Sequence, residues 1–216
     1  MRVVVCEEFG PPTSLEEVDV PCPTPSADEV LVRVEATGIG FVDGLLIQGK
    51  YQIKPPLPYS AGGEFAGKVE AIGDEVKDFA PGDAVFGTSY ASLADFVCTK
   101  ATRCIEAPAG LPVAQAASLW DKYLTAVYAL YTRGLMQSGE TLLVLGAAGG
   151  VGTAAIAVAK AMRARVIGAA STPEKRATAE TAGADATVDY TQEDWRKSLK
   201  AITPEGLNLV YDPVGG

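Results

Sequence analysis

Apolar residues in the first half of this chain come in short bursts separated by turn formers. Met1–Cys6, Glu29–Ala36, Glu64–Ile72, Ala84–Gly87 and Asp95–Thr99 are rich in β-branched residues. Gly10-Pro11-Pro12, Pro21–Pro25, Gly38–Gly40, Pro55-Pro56 and Pro81-Gly82-Asp83 punctuate them. Runs of that length, with turn chemistry between them, predict strands, and their spacing predicts a β-barrel or sandwich. Only Val42–Gln48 and Pro112–Ser118 read briefly as helix.

Near residue 115 the rhythm changes. Val113–Arg133 carries a helical apolar period with a break expected near Trp120. Strand and helix then alternate. Strands are predicted at Thr141–Leu145, Arg165–Ala169, Ala186–Val188 and Asn208–Asp212, and helices at Gly150–Met162, Pro173–Ala182 and Glu193–Ile202. That alternation implies a parallel sheet with right-handed crossovers. The expected fold class is therefore α/β plus β, with a barrel at residues 1–115 and a parallel-sheet domain at residues 116–216.

Composition narrows the chemistry more than the fold. An apolar fraction of 48% and a charged fraction of 21% describe an ordinary globular chain. Histidine is absent. Ser–His and Cys–His nucleophile pairs, imidazole proton relays and most catalytic zinc sites are thereby excluded. The four cysteines, Cys6, Cys22, Cys98 and Cys104, form no C-x-x-C pair and fit no common zinc finger. No metal is expected, and reduced thiols in a cytoplasmic protein are. No signal-peptide pattern precedes Glu7-Glu8. The net charge of −9 argues against nucleic-acid or anionic-membrane partners. Thr141–Ala159 is uncharged, but its glycines cluster between Gly146 and Gly152, so it reads as strand, turn and helix and not as a membrane span.

The strongest local signal is Leu142-Leu-Val-Leu-Gly-Ala-Ala-Gly-Gly-Val-Gly152. An apolar strand enters a glycine-rich turn and leaves as an alanine-rich helix. Small residues there let the backbone approach a pyrophosphate, and the first N–H groups of the helix point at it. The frame is Ala147-x-Gly149-x-x-Gly152, with alanine at the first position of the usual G-x-G-x-x-G. Ala148, Gly149, Gly150, Val151 and Gly152 are the candidate pyrophosphate residues; the plain alternative is a tight packing turn. A cofactor with a free ribose 2′-hydroxyl calls for an acid at the end of the second strand. This chain instead has Ser171, and Lys175 and Arg176 one turn into the next helix. These favour a 2′-phosphate, and so NADPH. The alternative is a solvated helix face, which Glu174 keeps open.

With these residues in view, the chain resembles the zinc-independent quinone oxidoreductases of the medium-chain dehydrogenase/reductase superfamily. In the first region the resemblance lies in Gly38-Ile-Gly-Phe-Val-Asp43, Ile47-Gln-Gly-Lys-Tyr51, Pro56-Leu-Pro-Tyr59, Gly62-Gly-Glu-Phe-Ala-Gly67 and Pro81-Gly-Asp83. In the second it lies in Tyr123-Leu-Thr-Ala126, Gly146–Gly152, Ala182-Gly-Ala-Asp185 and Val210-Tyr-Asp-Pro-Val-Gly-Gly216. It implies a GroES-like β-barrel followed by a Rossmann domain, with NADPH in the cleft between them. Zinc-bearing relatives carry a cysteine near Gly40 and a histidine near Gly63, and both are missing here. Two departures bear on substrate: Gly40 stands where relatives commonly have an asparagine near the nicotinamide, and Trp120-Asp121-Lys122 replaces a commoner Pro-Val-Asn.

The implied activity is hydride transfer from NADPH to a quinone or a similar conjugated carbonyl. The alternatives are an enone or enoyl-thioester double-bond reductase and a non-catalytic NADPH-binding protein. Without histidine, the proton donor is Tyr51, Tyr123, Lys122 or water. The resemblance places Tyr123 and Thr125 beside the nicotinamide, Tyr190 near the adenosine phosphate, and Asp212, Pro213 and Val214 along the cofactor; core packing is the rival role for Tyr123. Asp43 and Glu64 read as structural hydrogen-bonders. Family members have six strands in the second sheet and form homodimers through strands absent here. This chain is therefore expected to be a truncated or proteolysed portion of a longer reductase, whose activity the fragment need not retain.

Overall fold

The computed structural model describes residues 1–215; Gly216, the last residue of the Val210–Gly216 motif, lies outside the described residues. The chain divides into two compact units, Met1–Asp121 and the stretch from Lys122 onward.

The first unit holds two antiparallel sheets. Strand β1 (Arg2–Cys6) lies between β2 (Glu16–Asp19) and β4 (Tyr59–Ser60). The larger sheet runs in the order β7 (Phe96–Lys100), β3 (Glu29–Gly38), β5 (Glu64–Ile72), β6 (Ala84–Thr88), β8 (Cys104–Glu106). An isolated bridge from Val3 to Ala94 links β1 to the segment that leads into β7. The β3–β5 ladder slips twice, at Leu31/Val32 and Val34/Ala36. Such irregularities bend a sheet and let it curl as a barrel does. Val30, Val32, Phe65, Val69, Val85 and Val97 fill its interior. The β-branched residues that announced the strands are thus the ones that pack.

Three strands carry no sequence expectation: β2, β4 and β8. They are only two to four residues long. Edge pairing by backbone hydrogen bonds needs no apolar alternation. The expected helix at Val113–Arg133 is broken as anticipated, into α2 (Val113–Ala116), α3 (Trp120–Val127) and a π-helical stretch at Tyr128–Arg133. Helix α1 spans Phe41–Ile47.

The division between units falls after Asp121, later than the expected 115/116 boundary. Tertiary contacts hold residues 116–121 to the first unit. Ala116 and Ala117 are buried against Ala66 and Phe86. The Trp120 ring meets Phe86 edge-on at 6.5 Å. The buried Glu64 carboxylate accepts the Asp121 N–H at 2.6 Å.

The second unit is a four-stranded parallel sheet in the order β11 (Ala186–Val188), β10 (Arg165–Ala169), β9 (Thr141–Leu145), β12 (Leu209–Tyr211). Successive residues of β9 serve opposite layers. Leu142 and Val144 pack with Ala154, Ala155, Ile156 and Ala159 of α4 (Gly150–Ala161), and with Ala179 of α5 (Pro173–Thr181). Leu143 packs with Ile167, Val188 and Leu199 on the side of α6 (Trp195–Ile202). Both faces are covered, so the strands read as continuous apolar runs. The uncharged run at Thr141–Ala159 is β9, a turn and most of α4. Among the described residues, no helix is long and apolar enough to cross a membrane.

Asp185 of the Ala182–Asp185 motif staples this sheet to α4. Its two carboxylate oxygens accept from Lys160 Nζ, at 2.8 and 2.7 Å, and one of them also accepts the Val166 N–H at 2.7 Å. Burial opposes its ionisation, but the hydrogen bonds from Lys160 and Val166 and the lysine charge outweigh that, and the carboxyl sits below the ordinary aspartate range. A depressed carboxyl contributes stability above its unfolded pKa of about 3.9, and loses it as pH falls through the folded value. Acid unfolding followed by circular dichroism should therefore show less stability loss below about pH 4 in Asp185→Asn than in wild type. Equal acid sensitivity would show that the staple contributes nothing.

Candidate functional site

In a doubly wound sheet, ligands bind beyond the carboxyl ends of the strands, where the chain reverses its winding direction. Here the chain runs from β9 to β10 to β11 in one direction and then places β12 on the other side of β9. The switch point therefore lies between β9 and β12. Four connections meet along that edge of the sheet.

The first connection is the glycine-rich turn. Gly146 adopts φ +59°, a left-handed conformation that favours glycine. The chain then passes through Ala147 and Ala148 to Gly149, whose N–H donates to the Gly146 carbonyl at 2.9 Å, and into α4. Alanine is accepted at position 147 because the strained residue is its neighbour, Gly146. The Ala147 methyl is wholly buried in the core under α4. Gly152 answers a different demand. A Cβ there would overlap the Gly146 carbonyl oxygen and lie 3.0 Å from the backbone of Ala147, so only glycine lets α4 start this close to the turn. Gly149 precedes the helix without a side-chain cap, and both it and Gly150 are exposed. The first N–H groups of an α-helix have no intrahelical partner, so those of Gly150, Val151 and Gly152 are left without a helical acceptor at the positive end of the helix dipole. The geometry suits a pyrophosphate.

Lys122 is also brought to this turn. Its aliphatic stem lies over Gly150, where a Cβ would approach Lys122 Cδ to 3.1 Å and Cε to 3.3 Å.

The second connection leaves β10 through Ala170 and Ser171. Thr172 caps α5, accepting the Lys175 N–H at 3.3 Å, and Pro173 follows at the first helical position. Ser171 is half-buried, and Lys175 is exposed with no side-chain partner among the described residues. Arg176 is placed differently. Its guanidinium is paired with Asp189 at 2.9 Å and donates to the Ala170 carbonyl at 3.3 Å. The sequence reading groups Lys175 with Arg176 as phosphate cations, and the structure distinguishes them by this internal partner.

The third connection leaves β11 with Asp189 and Tyr190. The β10–β11 register pairs Ala169 with Val188, which sets Ser171 and Tyr190 at the same edge. Asp189 also accepts the backbone N–H and hydroxyl of Thr191, at 3.0 and 2.6 Å. Those bonds, the Thr191 hydroxyl foremost, together with the Arg176 charge, hold its carboxyl below the usual aspartate range. Asp189 is absent from the sequence-derived site. Its only local signal was its place before Tyr190 at the end of a predicted strand. The fourth connection leaves β12. The Asp212 carboxylate accepts the N–H of Val214 at 2.9 Å and of Gly215 at 3.0 Å, and Val214 Cγ2 stands 2.8 Å from where a Gly146 Cβ would be. Asp212, Pro213 and Val214 thus flank the glycine turn across the switch point.

The remaining candidates are distributed over both units. Tyr123 and Thr125 are exposed on α3 in the second unit. Gly40 and Tyr51 belong to the first. Gly40 precedes α1, and its N–H donates to Asp43 Oδ2 at 2.7 Å. Asp43 and Glu64 both hold backbone N–H groups, the structural use read for them. Among the described residues, no group of three or more Cys, Asp or Glu side chains is placed to hold a metal ion.

Comparison with known proteins agrees with this architecture. Residues 26–158 match the family described as alcohol dehydrogenase GroES-like domain, and residues 150–216 match that described as zinc-binding dehydrogenase. A probable oxidoreductase from Mycobacterium abscessus superposes with a TM-score of 0.93 at 34% identity, over all of this chain and 70% of that one. Escherichia coli quinone oxidoreductase, solved in complex with NADPH, superposes with a TM-score of 0.88 at 33% identity, over all of this chain and 67% of that one. This chain belongs to the quinone oxidoreductase family of medium-chain dehydrogenases/reductases. Among curated members of the family, "Quinone oxidoreductase-like protein 2" of Rattus norvegicus is 38% identical over 219 residues. This family member spans 62% of the rat protein's length. It has a GroES-like domain followed by a parallel sheet of the Rossmann kind.

Proposed function

We propose that the protein is an NADPH-dependent oxidoreductase that reduces quinones or similarly conjugated carbonyls without a metal ion. The observation that carries this reading is the carboxyl edge of the parallel sheet. An uncapped α4 N-terminus stands at the switch point, and no acid closes β10: Ser171 follows it, with Lys175 in the first turn of α5. The bound dinucleotide supplies the hydride. The turn at Ala148–Gly149 and the N–H groups of Gly150, Val151 and Gly152 hold its pyrophosphate. Ser171 and Lys175 hold the 2′-phosphate, with Arg176 behind them and Tyr190 beside the adenosine. Asp212, Pro213 and Val214 border the opposite side. Tyr123 and Thr125 orient the nicotinamide or the acceptor, and Tyr123, Tyr51, Lys122 or water delivers the proton that completes reduction.

Metal independence is supported by the donor set: the sequence has no imidazole, and Gly40 and Gly63 stand where the resemblance puts zinc ligands in other relatives. Four cysteines without a disulfide fit a reducing, cytoplasmic compartment. A homodimer is part of the same reading and rests on the resemblance alone. The test is NADPH oxidation against a panel of benzoquinones, naphthoquinones, enals and enoyl thioesters, with and without a chelator. Turnover on quinones that survives the chelator is expected. Turnover confined to enals or thioesters would replace the quinone with a double-bond substrate. Tight NADPH binding with no turnover would favour a non-catalytic role, and loss of activity to the chelator would refute metal independence.

A further inference from the structure

Arg176 and Asp189 form an internal ion pair at the edge where the 2′-phosphate would bind. The guanidinium donates at 2.9 Å to Asp189 Oδ2, and the two side chains are 22% and 20% exposed. This pair is better fixed than a solvent-exposed one. Arg176 is held also by the Ala170 carbonyl, and Asp189 by the N–H and hydroxyl of Thr191 and, at 3.4 Å, by Gln192 Nε2. Ala170 follows β10, and Asp189 follows β11 one residue beyond the last paired position, Ala169 with Val188. The carboxylate therefore lies at the sheet edge that carries Ser171 and the start of α5. The charged groups around this point are Lys175 and Arg176 on one side of the ledger and Glu174 and Asp189 on the other, and they sum to zero. A dianionic ligand there meets a weaker field than the Lys175-Arg176 pair suggests in sequence.

We propose that Asp189 is a specificity-determining residue: by neutralising Arg176 it tempers the affinity for a 2′-phosphorylated dinucleotide and narrows the preference for NADPH over NADH. This rests on the NADPH reading above. The opposing effect is orientation, since Asp189 also fixes the rotamer of Arg176. A fixed carboxylate next to a dianion acts over several ångströms at the low effective dielectric of a half-buried edge. Ordering one side chain is the smaller contribution. Repulsion therefore prevails.

NADPH and NADH are titrated by calorimetry into wild type, Asp189→Asn, Asp189→Glu and the double variant Arg176→Gln with Asp189→Asn. Asparagine keeps an oxygen for Thr191, and glutamate keeps the charge. Asp189→Asn is expected to raise the NADPH-over-NADH affinity ratio about fivefold, by tighter NADPH binding with a steeper salt dependence, as an exposed cation gains an anionic ligand. Asp189→Glu should keep the wild-type ratio. The double variant should return close to it, because a neutral pair has been exchanged for two neutral amides. Purely structural damage would weaken both cofactors alike and leave the ratio unmoved. A folded Asp189→Asn whose ratio stays level or falls, or a double variant that stays far below wild type, overturns the inference while the cofactor reading stands. Wild type that binds neither nucleotide overturns the cofactor reading and the inference with it.

Discussion

Gly152→Ala is expected to destabilise the second unit by about 1–3 kcal/mol and to weaken NADPH binding by roughly 30- to 150-fold. The added methyl would overlap the Gly146 carbonyl oxygen and sit 3.0 Å from the Ala147 backbone. Both neighbours are main chain, so no flexible side-chain end can swing away. Helix α4 has to retreat from β9, and it carries Ala154, Ala155, Ile156 and Ala159 out of a close-packed core. The same retreat displaces the helix-terminal N–H groups proposed to hold the pyrophosphate. Losing two such contacts, at about 1 to 1.5 kcal/mol each, accounts for the affinity change. Gly149→Ala is the internal control. Its methyl would meet only the Gly146 oxygen, at 3.3 Å, so it should cost far less stability. Thermal unfolding by circular dichroism and NADPH titration read both effects. A Gly152→Ala protein with wild-type melting temperature and affinity would remove the close-approach explanation.

Lys175→Ala is expected to weaken NADPH binding by about 10- to 150-fold while NADH affinity moves by less than about twofold. A charge-assisted contact to phosphate contributes about 1.5–3 kcal/mol, and a cofactor with a plain 2′-hydroxyl cannot make it. The variant should fold normally. Lys175 is exposed, alanine is the best helix former, and the cap contact from Thr172 uses the backbone N–H, which remains. Equilibrium titrations with both cofactors at two ionic strengths read the outcome, and the salt dependence of NADPH binding should flatten in the variant. An unchanged NADPH-over-NADH ratio would detach Lys175 from the 2′-phosphate and reduce it to a solvated residue of α5.

Much of this architecture was legible in the residues. The strands of the parallel sheet and the helices between them could be read because apolar runs buried on both faces, alternating with helical periods, carry local signals. The glycine cluster announced the turn before α4. Strands β2, β4 and β8 were not legible, since a two- to four-residue edge strand is made by a neighbour's free N–H and C=O groups and leaves no pattern of its own. The compact units divide after Asp121 for a similar reason. Rhythm changes near residue 115, but Glu64, far away in sequence, accepts the Asp121 N–H and keeps residues 116–121 with the first unit.

The candidate site divides in the same way. That a dinucleotide turn exists, that no imidazole can assist it, and that no acid follows the second strand are consequences of residue identity and order, which sequence alone determines. Which cations face outward is a matter of partners. Arg176 and Lys175 are adjacent and chemically alike, yet Arg176 meets Asp189 because parallel pairing of β10 with β11 brings two chain connections together. Likewise, the left-handed turn residue is Gly146 and the close-approach residue is Gly152, a distinction that a string of glycines cannot express. Periodicity, turn chemistry and composition act within a few residues and are written in the chain. Ion pairing, close backbone approach and unit boundaries depend on segments distant in sequence, and only the tertiary structure brings those together.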